Sequence, residues 1–390
     1  MTVAEKKKIS LKELLTTDVS SLRSVKSKDI EVKKTKSKKS VLFPKEYLAI
    51  DIGSSSIKMA LGKEKGNKLY VSKLIEVDNN KSFISDGVIA DKSKVGNQII
   101  NALLQEGIKN KEVNFTGNSS IIINRELIIP KASEEELNTL IEYEIQKYLP
   151  INMHDYIIQY DILEELKVDD MDKLKVLVVT YPHKLAKDYY DLSLKIGLKP
   201  NALDVRFNSV KKLLLNNYTF NGKKVEAHET VALVDMGAEN IDVSIFKNKV
   251  MDFTRIIKVG SSAIDTEGAK ALRIPEKDVE MKKLSISKNL NNTPEDEAIQ
   301  GVINQFIDTT IGELQRLFQF YRNKAVGNKI DKVFIYGGGS RIKDLELKLF
   351  EGLNIKVIKV SSLDNVVFKN EQDVVNVDFF INALGALIRL

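Results

Sequence analysis

The chain contains no cysteine and only three histidines in 390 residues. Without thiols it forms neither disulfides nor a thiolate metal centre, which suits a reducing compartment. His154, His183 and His228 sit in separate loop-like segments without ligand spacing, so a transition-metal site is not indicated. Long apolar runs are missing too: none reaches the roughly 18 residues that mark a membrane-spanning helix. The opening MTVAEKKKISLKELL lacks the apolar stretch of a secretory signal. There is no Walker loop and no nucleophile elbow. These absences leave the profile of a soluble cytoplasmic protein, and a hydrophobic content of 43% suffices for several folded units.

The formal net charge of +6 is unevenly spread. Residues 1–45 hold 12 Lys and one Arg against three Glu and two Asp, a surplus of +8 that leaves the remaining chain at −2. A segment reading KSKDIEVKKTKSKKS is one-signed and poor in apolar residues, the composition of a disordered tail. It is either simply solvated or a weak contact for an anionic membrane surface, and the lack of interleaved aromatics gives no sign of specific nucleic-acid binding.

Most of the remaining chain is a duplication. YLAIDIGSSSIKMAL (Tyr47 to Leu61) aligns with VALVDMGAENIDVSI (Val231 to Ile245), pairing Asp51 with Asp235, Gly53 with Gly237 and Ile57 with Ile241 at one offset of 184. Each copy reads as a strand, a tight glycine turn and two further strands. A second match joins KVLVVTYPHKLAKDYYDLSLKIGLKPNALDV (from Lys175) to KVFIYGGGSRIKDLELKLFEGLNIKVIKV (from Lys332), each a buried strand, a turn, an amphipathic helix and another strand. In the later helix Ile342, Leu345, Leu349 and Leu353 share one face.

The chain therefore divides into a tail (1–45), a first core (46–85 and 169–229) with an α+β insert (86–168), and a second core (230–260 and 326–390) with a mostly helical insert (261–325). In the first insert Ser133 and Glu136 form a capping box for a helix whose face carries Leu137, Leu140, Ile141, Ile145 and Tyr148.

A strand that ends in Asp-x-Gly and turns straight back has a specific chemistry. Glycine permits close approach of an oxyanion, the next amides, Ser54, Ser55 and Ser56 in the first copy, are donors, and the carboxylate suits a hydrated Mg²⁺. One such turn is ordinarily a plain hairpin. Two at matched positions imply a polyphosphate gripped from both sides, with its metal between Asp51 and Asp235. YGGGSRI, with Gly337, Gly338 and Gly339 between a strand and a helix, offers flat backbone for a ring or ribose.

DIGSSSIK, VDMGAENIDVSIF and VFIYGGGSRIKDL resemble the two phosphate motifs and the adenosine motif of the actin-like ATPase superfamily. Within it the chain is similar to the type IV pilus assembly protein PilM family, a relative of the division protein FtsA, over about residues 46–390. EYEIQKYLP, SLKIGLKPNALDV, DFTRIIKVGSSAI and the closing FINALGALIRL carry that likeness. The resemblance implies an α/β, duplicated actin-like (RNase H-like) two-lobed fold that binds ATP and Mg²⁺ in its cleft. Asp51, Gly53, Ser54, Ser55, Ser56 and Lys58 would belong to the first phosphate loop, and Asp235, Gly237, Ala238 and Glu239 to the second. Gly260, Glu280 and Lys283 would flank the nucleoside, and Gly337, Gly338, Gly339 and Ser340 would form the adenosine loop. Lys283 reads equally as a solvated helix lysine.

Asp204 falls where relatives keep a polar group near the attacking water, although a helix N-cap is an alternative use. Relatives often have hydroxyls where this chain has Asn240-Ile241, so slow or absent hydrolysis is expected. The implied role is a cytoplasmic adapter, peripheral at the inner face of the plasma membrane. It would hold the cytoplasmic tail of a PilN-like inner-membrane protein in a groove beside SSIIINRELIIP, and self-association is open. An FtsA-like filament protein and an actin-fold sugar kinase are the alternatives.

Overall fold

The computed structural model describes residues 45–149, 152–215, 218–287 and 293–389; the basic tail up to residue 44 lies outside them. Two sheets form the frame. In the first lobe, β1 (Tyr47–Ile52), β2 (Ser56–Lys65) and β3 (Lys68–Asp78) form an antiparallel meander, followed by the short hairpin β4 (Ile84–Ser85) and β5 (Val88–Ile89). Helix α1 (Lys92–Gln105), capped by Asp91, leads into β6 (Glu112–Gly117), which pairs parallel with β1. Leu48, Ala49 and Ile50 are wholly buried, as expected of a central strand covered on both faces.

Next comes a separate unit: β7 (Ile123–Pro130), α2 (Glu134–Tyr148), β8 (Tyr156–Val168) and β9 (Met171–Pro182), with strands ordered β7-β9-β8. It has its own core, in which Leu137, Ile141 and Ile145 of α2 meet Ile129, Val176 and Val178. The Ser133–Glu136 capping box is formed as the sequence predicts. Leu140 is half-buried and Tyr148 is exposed, so the apolar face of α2 is narrower than its spacing suggests. Arg125 lies 3.9 Å from the Tyr148 ring centroid.

The chain returns to the first lobe through α3 (His183–Lys195), β10 (Lys199–Val205) and α4 (Arg206–Leu215). In the second lobe β11 (Thr230–Met236), β12 (Ile241–Lys247) and β13 (Val250–Ile257) repeat the meander. Helices α5 (Ser262–Leu272), α6 (Glu276–Ser287) and α7 (Pro294–Lys324) follow, the last opened by a Thr293–Asp296 capping box. On α7, Ile299, Ile303, Phe306, Ile307, Leu314 and Phe318 recur at helical spacing and are buried against the sheet. Then come β14 (Lys332–Tyr336), α8 (Leu345–Leu353), β15 (Lys356–Lys359), the edge strand β16 (Val366–Phe368) and α9 (Val377–Leu387).

The sheet orders are β10-β6-β1-β2-β3-β16 and β13-β12-β11-β14-β15. Read from the same end, five strands of each lobe fall in one order, with β1 matching β11 and β6 matching β14. That corrects one expected match. Lys175 to Pro182 was paired with β14, yet it lies in β9, the middle of the small sheet, and the partner of β14 is β6, which comes from the segment assigned to the insert. β9 carries a short apolar run and β6 (EVNFTG) alternates apolar with polar residues, and local pattern does not say which sheet either strand joins. The helices α3 and α8 still match, because each feeds the outer parallel strand of its sheet.

The joint between the lobes is apolar. Helix α9 buries Phe380, Ile381, Leu384 and Leu387, and the same cluster runs through α4 onto Val231, Leu233 and Phe334 of the second sheet. A side chain at Gly385 would overlap the Ser209 carbonyl, so α4 and α9 cross in backbone contact. This close crossing brings Asn382 of α9 to the floor of the space between the lobes.

Candidate functional site

A cleft of about 700 Å³ lies between the two glycine turns. Each turn closes on itself in the same way: Gly53 N–H donates to the Ser56 carbonyl at 3.1 Å, and Gly237 N–H to the Asn240 carbonyl at 3.1 Å. A Cβ would stand 2.9 Å from that carbonyl at Gly53 and 2.5 Å from it at Gly237, and neither glycine has positive φ. The glycines are thus required by the tightness of the turn itself and not by an unusual backbone conformation. Braces behind the turns also correspond. The Asn79 amide donates to the Gly53 carbonyl (2.8 Å) and the Asn79 N–H to the Ser55 carbonyl (2.7 Å). At the second turn the N–H groups of Ser261 and Ser262 donate to the carbonyls of Gly237 (3.0 Å) and Ala238 (2.9 Å).

The floor is charged. Asp51 and Asp235 end their strands, and the residue opposite each on the next strand is Lys58 in lobe one and Asp242 in lobe two. Arg206, the first residue of α4, donates from Nε and Nη2 to Asp51 Oδ1 (3.2 and 3.1 Å) and from Nη1 to Asp242 Oδ2 (3.2 Å). Asn382 Nδ2 donates to Asp235 Oδ2 at 2.7 Å and to Asp51 Oδ2 at 3.3 Å. Burial pushes the Asp235 carboxyl up to about 6; Arg206 opposes the shift, and the neighbouring acids Asp242 and Asp51 add to it. Burial also raises Asp242. Burial alone would lower Arg206, but the three acids around it outweigh that and hold its guanidinium charged.

One end of the cleft is suited to a flat group. Gly337 has φ +85°, and a side chain there would overlap Asp235 Oδ1, so the Gly337–Gly339 backbone lies directly against the floor. Facing it across the cleft are Glu280, Lys283, Ile286, Gln300 and Ile303 of α6 and α7, with Ile342 beside the loop. Lys283 is paired with Asp265 at 2.7 Å and is not merely solvated. Arg341 pairs with Asp378 (2.6 Å) and stacks 3.8 Å from the Phe379 ring centroid, steadying the loop from behind.

The structure brings together Asp51, Gly53, Ser54, Ser55, Ser56, Lys58, Asp235, Gly237, Ala238, Glu239, Glu280, Lys283 and Gly337 to Gly339 around this cleft. Glu239 spans it, accepting from Ser85 Oγ (2.6 Å) and the Asp86 N–H (2.8 Å) of the β4–β5 hairpin. Three expected residues stand elsewhere. Ser340 is buried, with its hydroxyl on the Gly337 carbonyl (2.7 Å), and Gly260 packs behind the second turn against Ala238. Asp204 is outside the cleft, its carboxylate taken by Lys212 (2.6 Å) and Asn208 (3.1 Å), so it serves neither as a cap nor beside a water in the cleft.

The sequence reading missed Arg206, Asp242, Asn382 and Asn79. Asp242 was within reach, because the offset of 184 places it on Lys58. Arg206 lies two residues beyond Asp204 in the same ALDVRF stretch. The change from β10 to α4 between them turns one inward and the other to the cleft.

The donor set is all oxygen, the chemistry that Mg²⁺ takes. Among the described residues no group of three or more His, Asp or Glu forms a metal cage, so a cation here would draw most of its ligands from phosphate and water.

Residues 49–385 match the family described as type IV pilus assembly protein PilM. The structure of a PilM–PilN type IV pilus biogenesis complex superposes with a TM-score of 0.75 and 18% identity, over 89% of this chain and 98% of that one. The ethanolamine utilization protein EutJ of Carboxydothermus hydrogenoformans superposes with a TM-score of 0.52 and 11% identity, over 90% of this chain and 91% of that one. Among curated proteins, the cell division protein FtsA of Streptococcus pneumoniae serotype 2 (strain D39 / NCTC 7466) is 24% identical over 262 residues, 61% of this chain. The match spans about half, 55%, of that relative's length.

Proposed function

Because the chain belongs to the type IV pilus assembly protein PilM family and has its actin-like fold, we propose that it is a nucleotide-binding adapter of the pilus machine, taking Mg²⁺ and ATP in the cleft. The observation that carries this is the pair of equivalent turns, each closed by the same hydrogen bond and each delivering an acid, facing one another across one cleft. Residues 53–56 and 237–239 would hold the phosphates, with Lys58 adding positive charge from lobe one. Asp51 and Asp235 would hold the hydrated cation, and the Gly337–Gly339 backbone with Ile286, Ile303 and Ile342 would sandwich the base. The cation, when bound, supplies the charge that lets a polyphosphate lie beside three acids. Hydrolysis is slow or absent in this reading: Asp204 is engaged outside the cleft, and Ile241 offers no hydroxyl.

Occupancy would set how the lobes stand, and that posture would be read by a protein partner. The cytoplasmic tail of a PilN-like inner-membrane protein is the partner we propose, docking beside β7. That strand is an edge of the small sheet and exposes Ile128, which suits strand addition. Among the described residues no helix is long and apolar enough to cross a membrane. Recruitment to the inner face would therefore come from the partner, with the basic residues before position 45 as a weak electrostatic aid. Calorimetric titration with ATP and Mg²⁺, and a pull-down from membranes with either present or absent, tests both halves. ATP binding and recovery of a bitopic pilus protein are expected. No heat of binding overturns the first half, and recovery of a tubulin-like division protein in place of a pilus protein overturns the second.

A further inference from the structure

We propose that Arg206 is the resident cation of the cleft floor, holding Asp51 of lobe one to Asp242 of lobe two, so that a divalent cation engages Asp51 in competition with the guanidinium. This rests on the nucleotide reading above and adds a metal threshold to it. Both oxygens of Asp51 are committed: Oδ1 receives two N–H groups of Arg206, and Oδ2 receives the Asn382 amide. Oδ1 has both lone pairs filled by the guanidinium, so an ion bound there must expel it, and an ion at Oδ2, which keeps a lone pair, would stand against the guanidinium charge. The guanidinium cannot leave by losing a proton, since arginine stays charged at any working pH. It has to swing or be outcompeted.

The charge balance makes the exchange consequential. Asp51, Asp235 and Asp242 are all buried on one floor, and Arg206 is the cation hydrogen-bonded to two of them. Its side chain is 19% exposed and lines the cleft, so it is open to a ligand entering from that side. The link it makes is between lobes, since Asp51 ends β1 while Asp242 lies on β12. Exchange of arginine for metal therefore removes a tie between the lobes at the moment the cleft fills. An arginine that only stabilised the fold would give a different result: its loss would lower the melting point without creating affinity for a divalent ion.

The test is Mn²⁺ binding to the full chain without nucleotide, followed by electron paramagnetic resonance, together with the melting shift caused by Mg²⁺. Wild type should bind Mn²⁺ weakly and show little Mg²⁺ shift. Arg206→Gln should bind about tenfold more tightly, a modest share of the effect of one charge at this burial, and Mg²⁺ should raise its melting point. Adding Asp51→Asn to Arg206→Gln should remove the gain. A folded Arg206→Gln with wild-type Mn²⁺ affinity overturns the proposal. If that variant does not fold, Arg206→Lys decides, because one ammonium does not span both carboxylates as the fork does: Mn²⁺ affinity must rise above wild type, and an unchanged value overturns the proposal. A parallel ATP titration of wild type at saturating Mg²⁺ is read separately, since its failure would sink the nucleotide reading while leaving the Mn²⁺ result to judge Arg206.

Discussion

Lobe one and lobe two build their halves of the cleft on the same frame and place opposite charges on it. The frame is the glycine turn closed from residue 53 to 56 and again from 237 to 240. The charge difference lies one strand over, where Lys58 faces Asp51 but Asp242 faces Asp235. Lobe one sets a lysine opposite its acid, though Asp51 takes its ion pair from Arg206. Lobe two sets a second acid there, and burial with that acid raises the Asp235 carboxyl to about 6. The balance comes from outside both hairpins, through Arg206 of α4 and Asn382 of α9. Duplication preserved the hydrogen-bonded frame that ends a strand in a tight turn, and one cross-strand position separated the chemistry of the two sides.

Tightness is the first place to break the comparison. Because a Cβ comes to 2.5 Å of the turn carbonyl at Gly237 and 2.9 Å at Gly53, Gly237→Ala should destabilise more than Gly53→Ala, within the roughly 1–3 kcal/mol usual for overpacking. Urea unfolding of the two variants gives the answer, and equal costs would mean that the two turns are equally tight.

The charge asymmetry predicts a pH effect at Asp235. Asp235 binds a proton more tightly in the folded protein, with a pKa of about 6, than an ordinary carboxyl near 3.8 does. Its contribution to stability is therefore full at low pH and is lost as pH rises through about 6. In nucleotide-free protein, Asp235→Asn should gain on wild type by a few degrees in melting temperature between pH 5 and pH 7.5. A gap between the two proteins that does not change with pH would show Asp235 to be an ordinary acid.

How much of this was legible in advance follows from what each feature depends on. The DIGSSSIK and VDMGAENI turns, the duplication and the Gly337–Gly339 loop are local patterns, so the sequence shows them and the structure assembles them at one cleft. The membership of β6 and β9 depends on which sheet accepts each strand, which is decided by tertiary packing. Asn382 lies in FINALGALIRL, which reads only as an apolar helix, and it reaches the floor because α9 crosses α4 closely at Gly385. Asp204 is the acid of its motif, yet it is paired with Lys212 and the contact with the cleft acids falls to Arg206.

The contacts across the mouth should have the smallest effect. Glu239→Ala removes the hydrogen bonds to Ser85 and Asp86 that join the second turn to lobe one. As these are partly exposed polar contacts, the expected loss is less than about 1 kcal/mol. A wider distribution of inter-lobe distances, measured by spin-label pulsed dipolar spectroscopy, should accompany it. An unaltered distribution would leave the lobes held by the apolar joint at α4 and α9 and the remaining polar ties.

The central claim is that both turns act on one ligand, and the thermal shift caused by ATP with Mg²⁺ in wild type, Asp51→Ala and Asp235→Ala tests it most directly. A ligand that binds only the folded state raises its melting point by mass action. A clear shift in wild type and its loss in each single variant are expected, with both variants still unfolding cooperatively without ligand. A shift retained in full by both folded variants would contradict a cleft that grips from two sides.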